Sequence, residues 1–363
     1  MPEVQDILTQ YGAAYRQGHK LSLVQLKAMN AIQNCRTAHL GGHMDYCPEC
    51  GYTKPSYNSC RNRHCPKCQT LAKERWIYAR KADLLKVGYF HVVFTVPQEL
   101  NLLICRHQCE CYNLLFRCVA ETLQELAGDK KYLGAAIGHT AILHTWGQNL
   151  CFHPHIHCIV PSGGLTPLGK WQPSRKKFFL PVRVLSRKFR GKFLALLKLQ
   201  LPNVDQNLLN ICYQKEWVVY CKPPFKNAAC VVEYLGRYTH RVAISNNRIL
   251  KLENGVVTFK WRDYRDFSRW KEMTLSAEEF IRRFLMHVLP SGFTKIRHYG
   301  FLSSRGKQKK LRVCKLQTGT NLFPKEKLSA EQLILKLIGR KPSQCPKCGY
   351  SGLLKTGLSP PAV

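Results

Sequence analysis

The chain has 363 residues and carries 56 Lys and Arg against 22 Asp and Glu, a formal charge of +34. So basic a surface suits an enzyme of neutral metabolites poorly and points to a polyanionic partner, of which nucleic acid is the commonest. Apolar residues make up 45% and no long uninterrupted apolar run occurs, which argues against both a disordered basic tail and a membrane span.

In chain order, Leu8, Tyr11, Tyr15, Leu21, Val24 and Met29 recur at roughly helical intervals and predict a helix over residues 8–32. Residues 35–69 break that rhythm with Gly41–Gly42, turn residues and clustered Cys and His, giving a small loop-rich module with little core of its own. Leu71–Lys86 reads as a basic linker helix, Tyr89–Val96 as a strand closed by Pro97, and residues 98–127 as a helix. Strands are predicted at Ala141–Gln148 and His155–Val160, the latter ending at Pro161. Residues 170–200 are basic and mixed, and Val231–Val242 reads as helix. Residues 243–262 look like a hairpin, with Asn246–Asn247 and Asn254–Gly255 as turn signals. The basic tail from Ser303 ends in Cys345-Pro-Lys-Cys348, half a metal site without a named partner, and no internal repeat is evident. The irregular alternation of elements favours an α+β fold with an antiparallel sheet. The expected division is an N-terminal helix plus the Cys- and His-rich module over 1–80, a central α+β domain over 81–290 and a basic C-terminal tail with a CxxC pair over 291–363.

Six of the 18 cysteines fall between Cys35 and Cys68, and the N-terminus lacks the basic-then-apolar layout of a secretory signal. Metal-bound thiolates in a reducing cytosol therefore fit better than disulfides. Cys47-Pro-Glu-Cys50 and Cys65-Pro-Lys-Cys68 are two knuckles that together could complete a tetrahedron around a structural zinc. Cys35, His43, Cys60 and His64 could form a second site, the alternative being packing residues and exposed histidines. Between the knuckles, Arg61 and Arg63, with Lys67 just beyond, suit phosphate contact, or simply a solvated loop.

His153-Pro-His155-Ile-His157 places His155 and His157 on one face of a strand, about 7 Å apart, with Ile156, Cys158 and Val160 turned to a core. Two imidazoles aimed at one point suit a divalent ion. The preceding strand offers a third ligand, and hairpin register decides which. A loop over residues 149–152 sets His144 opposite His157 and Gln148 opposite His153. A loop two residues longer brings Gln148 opposite His155. His144 is preferred because imidazole is the better ligand, with Gln148 second, and His153 is expected outside the site.

On a helical wheel over 231–242, Tyr234 and Tyr238 flank the apolar stripe, with Arg237 and Arg241 beside them. Tyrosines at this spacing are ordinary core-edge packing. In combination with a metal on imidazoles, however, a phenol could attack a phosphodiester while Arg side chains hold its oxygens.

Cys35–Gln69, and above all Tyr57-Asn-Ser-Cys-Arg-Asn-Arg-His-Cys-Pro-Lys-Cys68, resembles the zinc-binding domain of rolling-circle insertion-sequence transposases. Tyr89–Pro97 looks like that family's first strand, and His153–Val160 carries the His-hydrophobe-His motif of the HUH endonuclease superfamily. Tyr234-x-x-x-Tyr238 is similar to its paired nucleophiles. The resemblance, over residues 20–300, implies a ferredoxin-like or relaxase-like antiparallel sheet with a central metal site. It also implies nicking of single-stranded or hairpin DNA at mobile-element ends, a 5′-phosphotyrosine and strand transfer assisted by Mg²⁺ or Mn²⁺. The metal ligands would be His155 and His157, and the nucleophiles Tyr234 and Tyr238. No helicase motif accompanies them, so a host helicase would unwind the duplex in a bacterial, nucleoid-associated setting. The competing readings are a plasmid replication initiator or relaxase, a noncatalytic zinc-dependent DNA-binding protein, and a zinc hydrolase, which lacks an obvious general-base carboxylate.

Overall fold

The computed structural model describes residues 1–175, 179–222, 225, 230–231, 236, 243–264, 266–322 and 328–361. Helices α1 (Val4–Gly18) and α2 (Leu23–Gln33) precede strands β1 (Gly42–Tyr46) and β2 (Thr53–Tyr57). Helix α3 (Gln69–Lys81), strand β3 (Tyr89–Thr95) and helices α4 (Asn101–Arg106) and α5 (Gln108–Gly128) follow. Next come β4 (His139–Trp146), β5 (Phe152–Pro161), β6 (Gly163–Leu165), β7 (Trp171–Pro173), α6 (Val182–Gln200), α7 (Gln206–Gln214) and β8 (Val219–Lys222). The C-terminal part holds β9 (Ile249–Glu253), β10 (Val256–Asp263), β11 (Arg269–Ser276), α8 (Ala277–Met286) and β12 (Ile296–Tyr299). Helices α9 (Lys307–Gln317) and α10 (Ala330–Ile338) and strand β13 (Leu354–Leu358) complete it. The molecule is α+β with antiparallel sheets, and no described helix is long and apolar enough to cross a membrane.

The central sheet has five antiparallel strands in the order β12-β4-β5-β3-β8. Along β3, Phe90, Val92 and Phe94 alternate with Tyr89, His91 and Val93, so every second residue turns to the same face. Those phenylalanines join Leu143, Ile156 and Cys158 under α5 and α6, where Phe116, Phe189 and Phe193 are fully buried. Truncating one of these rings to Ala is expected to cost about 3–5 kcal/mol. Helix α6 escapes prediction because its apolar positions Leu185, Phe189, Phe193 and Leu197 stand among Arg183, Arg187, Lys188, Arg190 and Lys192.

A second core joins the chain's beginning to residues 249–288. Ile7, Leu8 and Met29 pack with Phe259, Phe280 and Phe284 from the β9–β11 sheet and α8. The single helix expected over 8–32 is divided, since α1 ends at Gly18 and Ser22 starts a new helix. There Gln25 N donates to Ser22 Oγ (3.3 Å) and Ser22 N donates to Gln25 Oε1 (3.0 Å), a reciprocal cap. The Asn254–Gly255 turn joins β9 to β10 as expected, and β11 adds a third strand with a largely exposed face.

His139 and His287 are among the described histidines that lie inside the protein. His139 stacks on Tyr299, 4.9 Å between ring centroids. His287 Nδ1 lies 3.2 Å from Thr145 Oγ1 and Nε2 3.1 Å from the Leu150 carbonyl. Burial pushes their pKa values down to about 3 and about 4 respectively. Unfolded, both titrate near 6.5, so below that pH the unfolded chain binds protons that the folded chain refuses. Stability is expected to fall from pH 6.5 toward 4, by about 2–3 kcal/mol per histidine at pH 4.5. Urea unfolding of the wild type and His139→Leu at pH 7 and 4.5 checks this; equal pH dependence in the two proteins contradicts it for His139.

Candidate functional site

The face of the central sheet opposite α5 and α6 carries the histidines. Strand β5 is hydrogen-bonded on both sides, to β3 and β4, so its side chains are fixed from two directions. His144, His155 and His157 each offer a ring nitrogen, and the three atoms lie within 4.8 Å of one another. His144 faces His155 directly and Ile142 faces His157, with a register shift between His144 and Trp146. Neither simple register expected from loop length occurs, because the turn spans residues 147–151 and the irregularity sets two residues of β5, His153 and Pro154, against Thr145 alone on β4. His144 nevertheless belongs to the cluster. Gln148 sits in the loop, where its amide donates to the Tyr264 hydroxyl (3.3 Å).

Hydrogen bonds orient the rings. His155 Nδ1 donates to the His153 carbonyl at 2.6 Å, which leaves the Nε2 lone pair for a ligand. His153 itself is exposed and outside the cluster. His157 Nδ1 lies 2.8 Å from His91 Nε2, and those rings stack with 3° between their planes. His91 on β3 was not among the expected site residues. Its signal was the alternation with Phe90 and Val92, the same logic that paired His155 with His157. The protein packed around His155, and secondly the His153 charge, push its pKa down to about 3; burial puts His157 well below the usual histidine range. Neutral imidazoles converging on one point form a set suited to a divalent cation.

The cysteines assemble differently from the expected Cys47, Cys50, Cys65 and Cys68 set. Cys35, Cys60, Cys65 and Cys68 form one group, and Cys47, Cys50, Cys345 and Cys348 another. The division follows local structure: Cys68 caps α3, which draws the Cys65–Cys68 turn to the end of α2, while Cys47–Cys50 lies between β1 and β2. Sγ of Cys68 is 3.5 Å from Cys35 and 3.6 Å from Cys60. Thiolates on a tetrahedral zinc, at about 2.3 Å from the ion, stand about 3.8 Å apart. The cluster fits structural zinc. The proposed companion site at Cys35, His43, Cys60 and His64 does not assemble. His43 Nε2 lies 3.2 Å from Asp45 Oδ1, and buried His64 accepts the Leu289 amide at Nε2 (3.1 Å).

Of the basic loop residues, Arg63 donates to the Phe293 carbonyl (2.5 Å), and Lys67 donates to Gln5 Oε1 (2.6 Å) and pairs with Glu3. Arg61 is exposed with a φ of 52°. Tyr234, Tyr238, Arg237 and Arg241 lie outside the described residues. Val231 and Gly236, which are described, are helical. Val231 is buried with Tyr89, Ile142 and Ile159 on the histidine-bearing face, and a Cβ at Gly236 would collide with Ile77 of α3.

Zinc removal by a strong chelator is expected to abolish amide-exchange protection over residues 42–57 while β4 and β5 keep theirs, because the cysteine-rich segment buries little apolar surface. Undiminished protection over 42–57 would show that the segment holds without metal.

Residues 7–96 match the family described as transposase zinc-binding domain, and residues 138–310 match one described as putative transposase. The chain is 48% identical to the putative transposase y4qJ of Sinorhizobium fredii, over 96% of this chain and 93% of that protein. It is 27% identical to the transposase for insertion sequence element IS801 of Pseudomonas savastanoi pv. phaseolicola, over 93% and 86%. No solved structure matches it. With its length, its zinc-binding segment and its later residues all matched in this way, the chain belongs to the transposase family that carries an IS91-type zinc-binding domain.

Proposed function

We propose that this transposase works by the HUH, rolling-circle route: it nicks single-stranded DNA with a tyrosine, keeps the 5′ end as a phosphotyrosine and passes that end to another strand. The observation that carries this reading is the convergence of His144, His155 and His157 at the middle of the sheet. Bound there, Mg²⁺ or Mn²⁺ would supply Lewis-acid polarisation of the scissile phosphate. His153 and His91 hold the ligand rings in orientation through their hydrogen bonds.

In the chemical step the phenolic oxygen of Tyr234 or Tyr238 forms a bond to phosphorus, and the bond from phosphorus to the 3′ oxygen breaks. The phenol loses its proton and the departing oxygen gains one, leaving a 3′ hydroxyl. Attack by a second 3′ hydroxyl reverses the sequence and restores the phenol, so the linkage is conserved without ATP. Val231 and Gly236 support this assignment: they bracket Tyr234 in sequence, and Val231 packs on Ile142, the cross-strand neighbour of His157. Arg237 and Arg241 would hold phosphate oxygens, and Arg61 would contact the backbone of hairpin DNA at the element's ends. A host helicase would supply the single strand.

A labelled single-stranded oligonucleotide spanning an element end, incubated with Mn²⁺, should yield a covalent species on a denaturing gel that peptide mapping places at Tyr234 or Tyr238. The Tyr234→Phe/Tyr238→Phe double variant should give none, and adduct formation by that variant would remove these nucleophiles. His155→Ala should lose nicking while hairpin binding stays within about twofold. His91→Ala should weaken Mn²⁺ binding by about 10–100-fold; unaltered affinity would show that His91 does not position His157. DNA affinity should fall steeply with salt, and a flat response would argue against extensive phosphate contact.

A further inference from the structure

We propose that Cys47, Cys50, Cys345 and Cys348 hold a second structural zinc, so that the end of the chain closes the N-terminal module. Neither family match includes residues 345–348. Cys47-Pro-Glu-Cys-Gly-Tyr52 and Cys345-Pro-Lys-Cys-Gly-Tyr350 share one sequence pattern, and they fold alike. In each, the glycine amide donates to the first cysteine's carbonyl at 3.0 Å. In each, the first cysteine's amide donates to the tyrosine carbonyl, at 2.9 Å and 2.7 Å. Gly51 and Gly349 have φ of 66° and 81°, the left-handed conformation that turns each knuckle.

The sulfurs complete the case. Cys47 Sγ lies 3.6 Å from Cys348 Sγ, and Cys50 Sγ 3.7 Å from Cys345 Sγ, close to the edge of a zinc–thiolate tetrahedron of about 3.8 Å. Strand β13 pairs antiparallel with β1 from Gly42↔Leu358 to Tyr46↔Leu354, building a three-stranded ribbon around the knuckles. Four thiolates leave no open position, so this zinc is structural. The Cys65–Cys68 turn lacks the following glycine and enters α3 directly, and it serves the other cluster.

Elemental analysis and native mass spectrometry of the full chain should give two zinc ions per molecule, and Cys345→Ser/Cys348→Ser should give one. The variant should also release its C-terminal segment to protease faster than the wild type. If the variant does not fold, cobalt titration of the wild type decides: thiolate charge-transfer absorbance should saturate at two equivalents. One zinc in the wild type, two in the variant or saturation at one cobalt would overturn the assignment.

A separate observation concerns the β10–β11 turn. Phe267 is 91% exposed and Trp270 59% exposed, and Phe267 takes a φ of 44°, which a bulky side chain rarely adopts. Lys260 Nζ stands 5.9 Å from the Trp270 ring centroid, and Arg269 is exposed beside it. The Gln148–Tyr264 hydrogen bond ties this hairpin to the loop that follows His144. We infer that the hairpin is a stacking platform for unpaired bases of single-stranded DNA, its cations facing phosphates; this rests on the nuclease reading above. Anisotropy of the zinc-loaded protein with oligo-dT, without added Mg²⁺ or Mn²⁺, isolates it from catalysis. Phe267→Ala/Trp270→Ala should weaken oligo-dT binding about 10-fold or more and leave a duplex of equal length unchanged. Oligo-dT affinity equal to that of the wild type would overturn the platform alone, whereas a wild type that does not bind oligo-dT would overturn the single-strand reading as well.

Discussion

Everything at the histidine face depends on the pleat of β5 being held from both sides. Hydrogen bonding to β3 and β4 fixes which residues look up and which look down. A one-residue slip would drive His155 and His157 into the apolar layer and expel Ile156 and Cys158. The burial of those apolar neighbours beneath α5 and α6 therefore holds the imidazoles in place. The same constraint sets His91 beside His157, since β3 carries an equivalent alternation.

Around this rigid sheet the chain is organised by closures distant in sequence. The N-terminal helices find their core partners near residues 259–284, and β1 takes a partner strand from residues 354–358. The cysteine-rich segment between them has few large apolar residues of its own. Two compact sulfur clusters supply the tertiary order there that apolar burial supplies in the sheet. His64 and Arg63, whose side chains bond to the backbone of Leu289 and Phe293, tie that segment onto the body of the protein. The cost is that Arg63 and Lys67 spend much of their bonding capacity internally. In the proposed function, the charge that meets DNA therefore comes mainly from others of the 56 basic residues.

Strands β3, β4 and β5 were legible as short runs rich in β-branched and aromatic residues, with Pro97 closing the first and Pro161 the last. Helix α6 was hidden because Arg and Lys residues are interspersed through its first three turns, although Leu185, Phe189, Phe193 and Leu197 keep the helical interval. The zinc-knuckle spacing identified cysteine chemistry correctly but not its partners. The glycine and tyrosine after Cys50 and Cys348 were the overlooked signal, shared by knuckles nearly 300 residues apart.

The sequence alone determined the residue chemistry: polyanion-seeking charge, paired thiol knuckles, and imidazoles alternating with apolar residues along a strand. Those properties are local, set by side-chain type and by the period of the backbone. Tertiary structure decided the partnerships. It chose Cys35 and Cys60 over Cys47 and Cys50 for the Cys65–Cys68 turn, His144 over Gln148, and His91 as the support of His157. Such choices depend on strand register, on one β irregularity and on where distant segments pack, and spacing along a chain does not encode those distances.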